Sequence, residues 1–251
     1  MNKFWLVCFV VVVLMNSTAW ADDLLVSAAA SLTDALSDIG KSYESKSHHR
    51  VSYNFGASSQ LARQIKEGSP VDLFFSADLE KMENLEKKGF IEHATRKNLL
   101  SNKLVMVVPE DPTVPIRSPR DLLRGDVQRI AVAEPSSVPV GIYTRQYLEG
   151  KGIWSGVKNK VIPVANARAA LASVESGNVD VGFVYETDAA ISRKVTVVHR
   201  IPRDMGPKIV YSVGLLRESN KKKAALHLLK FFSSRESKRT FAKYGFIVLE
   251  N

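Results

Sequence analysis

Apolar residues follow two rhythms along this 251-residue chain. Short runs rich in Val, Ile and Phe, bounded by turn residues, read as strands. Between them, apolar positions recur every three to four residues, as on one face of a helix. Residues 24–30 read as a strand and 31–46 as a helix with Leu32, Ala35, Leu36 and Ile39 on its inner face. A second strand (51–55) leads to a helix (58–67) ended by Gly68, and a third (71–76) to a helix (78–88) that Asp78 caps and Gly89 stops. The pattern restarts after Lys103. Strands at 104–108, 129–133, 161–164 and 181–185 alternate with helical stretches in SPRDLLRG, PVGIYTRQYLEGKG and NARAALASVESGN. VTVVHRIP and 208–216 read as further strands. Residues 220–244 read as helix, with Ala224, Ala225, Leu228, Leu229 and Phe232 as its apolar stripe.

Strand–helix alternation predicts an α/β fold with largely parallel sheets. No low-complexity linker separates the two halves. Short crossings near 99–105 and 207–214 therefore predict two lobes hinged about a cleft: lobe 1 from 22–101 and 212–251, lobe 2 from 102–211. Ligands of such sheets sit at the carboxyl ends of the strands.

The first 21 residues do not fit this pattern. Lys3 is followed by an apolar run from Phe4 to Met15 and by the small-x-small triplet Ala19-Trp20-Ala21. That order predicts a secretory signal peptide cut after Ala21, and with it an exported protein. Cys8, the only cysteine, lies inside the apolar run rather than at the cut, which argues against a lipoprotein. The remaining chain has no disulfide to rely on and must rest on its core. Its net charge falls from +9 to +8, Lys3 being the one charge lost. Lysines interspersed with acids on an exported chain argue against nucleic acid and suit a solvated basic surface, or weak steering of an anionic partner.

Candidate chemistry lies at four helix starts, AAAS (28–31), GASSQ (56–60), SSVPVGIY (136–143) and VANARAA (164–170). Each carries small or hydroxyl residues and little charge. A helix start offers unpaired N–H groups and a partial positive charge, and so accommodates an anion. Each alone is also what ordinary capping requires; only the four together, two in each half, favour an anion. Competing chemistry is poorly supported. Ser31, Ser58 and Ser59 have no matched histidine and acid for a hydrolase, and there is no nucleophile elbow or phosphate loop. His48, His49, His93, His199 and His227 have no metal-like spacing, and the first two read as a solvated loop pair.

The stretches AAASLTDAL, ASSQLARQI, PVDLFFSAD, VPVGIYTRQYL, GFVYETDA and KRTFAKYGF, in this order over 24–249, resemble the periplasmic molybdate-binding proteins of bacterial ABC transporters. The resemblance implies the two-lobed type II periplasmic-binding-protein fold, each lobe a mostly parallel sheet flanked by helices. It implies molybdate or tungstate as ligand, no cofactor, no catalysis, and a membrane permease as partner of a monomer. Carried over by motif, the ligand shell would be Ser31, Ser58 (with Ser59 as fallback), the backbone N–H groups of Val140 and Ala167, and the Tyr185 hydroxyl. These contact the oxyanion; none ligates the metal directly. Arg63 and Arg168 are expected in surface or interlobe salt bridges rather than on the anion. Another oxyanion such as sulfate, or Fe³⁺, remains an alternative in the same fold; iron is disfavoured because only Tyr185 stands where ferric-binding relatives use paired tyrosines. A ligand-sensing domain of a transcription factor lacks a DNA-binding segment here.

Overall fold

A computed structural model describes residues 23–250; the expected signal peptide lies outside them. The chain runs β1 (Asp23–Ala29), α1 (Thr33–Glu44), β2 (Arg50–Gly56), α2 (Ser58–Lys66), β3 (Leu73–Ser76), α3 (Leu79–Lys87) and β4 (Lys97–Ser101). It continues through β5 (Leu104–Pro109), β6 (Ile130–Ala133), α4 (Pro139–Gly150), α5 (Trp154–Val157), β7 (Val161–Val164), α6 (Ala167–Glu175), β8 (Val181–Tyr185), α7 (Glu186–Ala190) and β9 (Val195–Arg200). Finally come β10 (Tyr211–Leu215), α8 (Lys222–Phe232), α9 (Arg235–Lys243) and β11 (Ile247–Val248). The strands form one sheet in the order β11-β4-β10-β3-β1-β2 and another in the order β7-β6-β8-β5-β9. This is the two-lobed α/β arrangement.

Strand periodicity explains how each sheet is covered on both faces, since successive side chains point to opposite sides. Phe74 packs with Leu61, Ile65, Met82 and Leu85 of α2 and α3. Its neighbour Phe75 points the other way, against Phe232 of α8 and Phe241 of α9, with ring centroids 5.8 and 6.1 Å apart. In the second sheet, Val105, Val107 and Val184 meet Ala170, Leu171 and Val174 of α6. Burial of the stripe Ala224, Ala225, Leu228, Leu229 and Phe232 follows the helical spacing of the sequence.

The sheets are mixed rather than mostly parallel. β1 pairs parallel with β2 and β3, and β6 with β7 and β8, because helical crossovers carry the chain from β1 to β2 to β3 and from β6 to β7 to β8. β10 runs antiparallel to β3 and β4, and β5 antiparallel to β8 and β9, because these strands carry the chain between sheets instead of around one. One passage is Asn102-Lys103, between β4 and β5; the other spans 201–210, between β9 and β10. Tyr211 already pairs with Leu100 in the first sheet.

Three local features differ from the sequence pattern. The helix read from residue 31 opens as a 3-10 turn over Ala30–Leu32. The helix read over 220–244 breaks at Ser233-Ser234, where the Ser234 hydroxyl accepts the N–H of Ser237 and caps α9, while the Ser237 hydroxyl donates to the Phe231 carbonyl. His48 is exposed as expected, but His49 is half-buried and stacks on Tyr43 at 6.4 Å.

Candidate functional site

The carboxyl ends of β1, β2 and β3 in one lobe, and of β6, β7 and β8 in the other, converge on one small cavity. From the first lobe it is lined by Ala29, Ala30 and Ser31, by Gly56, Ala57 and Ser58, and by Ala77. The second lobe contributes Val138, Pro139 and Val140, then Asn166 and Ala167, and Tyr185. All five residues named from sequence, Ser31, Ser58, Val140, Ala167 and Tyr185, are therefore brought together. Ser59 is half-exposed and is not among the lining residues. No lining residue carries a charge or an imidazole.

Each helix start leaves donors facing this space. In α2 the first backbone bond runs from Leu61 N–H to Ala57 O (3.0 Å), so the earlier N–H groups have no helical acceptor. In α4 the first is Ile142 N–H to Val138 O (2.9 Å), which leaves that of Val140; Pro139 has none. In α6 the Asn166 side chain accepts Ala169 N–H (3.0 Å) and its carbonyl accepts Ala170 N–H (3.1 Å), which leaves Ala167. The hydroxyls are equally placed. Ser58 Oγ accepts Ala77 N–H at 3.0 Å, and Ser31 Oγ lies 2.9 Å from the Tyr211 hydroxyl. The Tyr185 hydroxyl is buried and has no hydrogen-bond partner among the described residues. Burial, then the neighbouring Tyr211, pushes the Tyr185 phenol well above its usual pKa, so it stays a neutral O–H donor.

Both arginines at these helix starts are turned to carboxylates. Arg63 lies 3.8 Å from Glu67 on the surface of α2. Arg168 links the lobes: Nη2 is 2.5 Å from Asp34 Oδ2 on α1, and Nε is 2.8 Å from Oδ1 of the fully buried Asp188 on α7. On the other flank, the Tyr143 hydroxyl of α4 donates to Ala77 O at 3.3 Å. Burial outweighs Arg168 and raises the Asp188 carboxyl from 3.8 to about 6. Between these values the folded state keeps a proton that the unfolded chain releases, so stability from this group falls as pH rises through the window. Asp188→Asn is expected to remove that slope. Thermal melts at about pH 4.5 and about pH 7 check it: the wild-type-minus-variant difference in Tm should favour wild type more at the acidic pH, and an unchanged difference would contradict the assignment.

Two residues of the site's surroundings escaped sequence reasoning. Tyr211 packs its ring 5.8 Å from that of Tyr185, so a second tyrosine does stand beside the first, although it does not line the cavity. Asn102, in the first passage between sheets, donates from Nδ2 to both the Tyr211 hydroxyl (3.2 Å) and Thr187 Oγ1 (2.9 Å). Neither has a local signal: Tyr211 looks like any strand residue and meets Ser31 across 180 positions of chain.

Residues 24–247 match the model of a family described as bacterial extracellular solute-binding proteins. The chain belongs to this family. Among its solute-binding relatives, a putative ABC transporter substrate-binding lipoprotein, YvgL of Bacillus subtilis, is 38% identical, with 89% of this chain and 85% of that protein covered. The molybdate-binding protein ModA of Escherichia coli is 36% identical, with 93% and 92% covered. A solved structure, the substrate-binding domain of a putative molybdenum ABC transporter from Clostridium difficile, superposes with a TM-score of 0.70 at 33% identity, covering 92% of this chain and all of that one. Among the described residues, no helix is long and apolar enough to cross a membrane, and no group of His, Cys, Asp or Glu could hold a metal ion.

Proposed function

We propose that this solute-binding protein captures molybdate, or tungstate, between its lobes and delivers it to the membrane permease of an ABC transporter. The observation that carries the reading is an uncharged cavity at four helix starts, with three hydroxyls and the free N–H groups of Val140 and Ala167 around it. Molybdate is fully deprotonated at neutral pH, so a shell of donors suits it. Phosphate near neutral pH keeps a proton and needs an acceptor. Sulfate is also fully deprotonated, and size alone separates it: its shorter bonds keep its oxygens from reaching every donor at once. Charge-assisted hydrogen bonds are each worth about 1.5–3 kcal/mol, so missing one or two is a large penalty. Relatives named as molybdate-binding support the same ligand.

On this reading Ser31 and Ser58 act from lobe 1, and Val140, Ala167 and Tyr185 from lobe 2. The protein works as a monomer without cofactor or catalysis. Its leader is cut after Ala21, and it acts outside the cytoplasmic membrane. The anion favours the closed form because only that form lets both lobes touch it. Calorimetry with molybdate, tungstate, sulfate and phosphate tests this. Tight binding of the first two with negligible heat from the others is expected, and sulfate bound as tightly as molybdate would overturn the specificity.

A further inference from the structure

We infer that Asn102 and Tyr211 are positioning residues that fix which way the Ser31 hydroxyl points, and so make this wall of the cavity reject oxyanions that still carry a proton. The inference rests on the molybdate reading of the cavity and deepens it. Lys103 N–H can only donate, and it donates to Asn102 Oδ1 at 2.8 Å. That contact orients the amide, leaving Nδ2 as the end that meets Thr187 Oγ1 at 2.9 Å and the Tyr211 hydroxyl at 3.2 Å. An amide nitrogen only donates, so the Tyr211 oxygen accepts from it. Two hydroxyls remain beside the phenolic proton, those of Tyr185 and Ser31. The Tyr185 hydroxyl makes no hydrogen bond of acceptable geometry, whereas Ser31 Oγ lies 2.9 Å away, so the proton is directed to Ser31. With its oxygen accepting from Tyr211, Ser31 has its own proton left for the cavity that it lines.

Every member of this chain is buried: Tyr211 is 0% exposed, Asn102 and Thr187 3%, and Ser31 4%. Water is therefore poorly placed to reverse the order. The pattern is repeated at the start of α2, on the same cavity, where Ser58 Oγ accepts Ala77 N–H and its proton is likewise left over. The relay also runs through the passage between sheets, since Asn102 ties Tyr211 of the first sheet to Thr187 of α7 in the second lobe. Removing the Tyr211 hydroxyl would free Ser31 to rotate and present a lone pair to the cavity. A hydroxyl that can accept no longer discriminates against a ligand O–H.

The test compares wild type with Tyr211→Phe and Asn102→Asp above neutral pH, where phosphate is a dianion bearing one proton. Molybdate and phosphate then carry the same charge, so their affinity ratio reads hydrogen-bond polarity, while the molybdate-to-sulfate ratio reads size. In Tyr211→Phe the preference for molybdate over phosphate is expected to fall at least about tenfold, with the preference over sulfate unchanged. Asn102→Asp presents only acceptors to Tyr211 and should shift the same ratio in the same direction. It keeps the phenol ring in the core and carries the test should Tyr211→Phe fail to fold. An unchanged phosphate ratio in a folded variant, or both ratios falling together, would overturn the relay. Wild type decides the ligand separately: if it prefers sulfate to molybdate, the molybdate reading falls and the relay is read from the sulfate-to-phosphate ratio. If wild type binds none of these anions, both fall.

Discussion

Ser31→Ala is expected to weaken molybdate binding between about tenfold and a hundredfold. The alanine removes one charge-assisted hydrogen bond, worth about 1.5–3 kcal/mol, and each 1.4 kcal/mol or so is a factor of ten in affinity. It adds no bulk, so the cavity keeps its shape and the loss reads the hydroxyl itself. Two secondary effects follow from the contacts of Ser31. The Tyr211 hydroxyl loses its 2.9 Å partner inside the protein, so Tm should fall modestly as well. The neighbouring N–H groups of the Ala30–Leu32 turn stay in place, so binding is reduced rather than abolished. Calorimetric titration of the folded variant measures the loss, and an affinity equal to wild type would remove Ser31 from the ligand shell.

Gly141→Ala is expected to produce the largest loss of stability. Gly141 sits in the first turn of α4, one residue after Val140, where the helix start presses against the end of β6. A Cβ there would overlap the Ala133 carbonyl oxygen and lie 2.7 Å from Ala133 C and 2.8 Å from Glu134 O. These are backbone atoms of a buried strand and its exit, which cannot swing aside as a side-chain tip would. Overpacking usually costs about 1–3 kcal/mol, and a clash with fixed backbone belongs at or beyond the upper end. For a chain of this size that is a fall in Tm of about 6–12 °C. Relief would come from sliding α4 outward, which moves Val140 N–H off the cavity, so anion affinity should fall in the same variant. Gly150→Ala is the matched control: it lies in the same helix and its Cβ meets nothing within 4 Å. Equal melting temperatures for Gly141→Ala and wild type would refute the close-approach argument.

Much of the fold was legible because it is local. The period of 3.6 in 31–46 and 220–244, and the short apolar runs at 104–108 and 181–185, placed most elements. Gly68, Gly89 and Gly177 marked helix ends, and all three have positive φ. The four helix starts were legible for a related reason, because small and hydroxyl residues mark each junction. Which residue of each faces the cavity, and Tyr185, which lies outside all four, came from the resemblance to molybdate-binding proteins. What misled was also local: a continuous apolar stripe across 220–244 hides the break at Ser233-Ser234, because Leu228, Leu229, Phe232 and Phe241 stay on the buried side of both helices. The direction of β5 and β10 leaves no trace in hydrophobic pattern, since an antiparallel central strand is as apolar as a parallel one.

By itself the sequence determined the α/β alternation, the two-lobed plan and the donor-rich helix starts, because backbone periodicity and capping chemistry act over a few residues. Only the tertiary structure decided the mixed strand directions, the pairing of Arg168 with Asp34 and Asp188, and the Asn102–Tyr211–Ser31 chain. Those depend on groups from distant parts of the chain meeting in a buried space, where each must find a partner of opposite hydrogen-bond polarity or charge. A single donor or carboxylate in the sequence does not say which partner that will be.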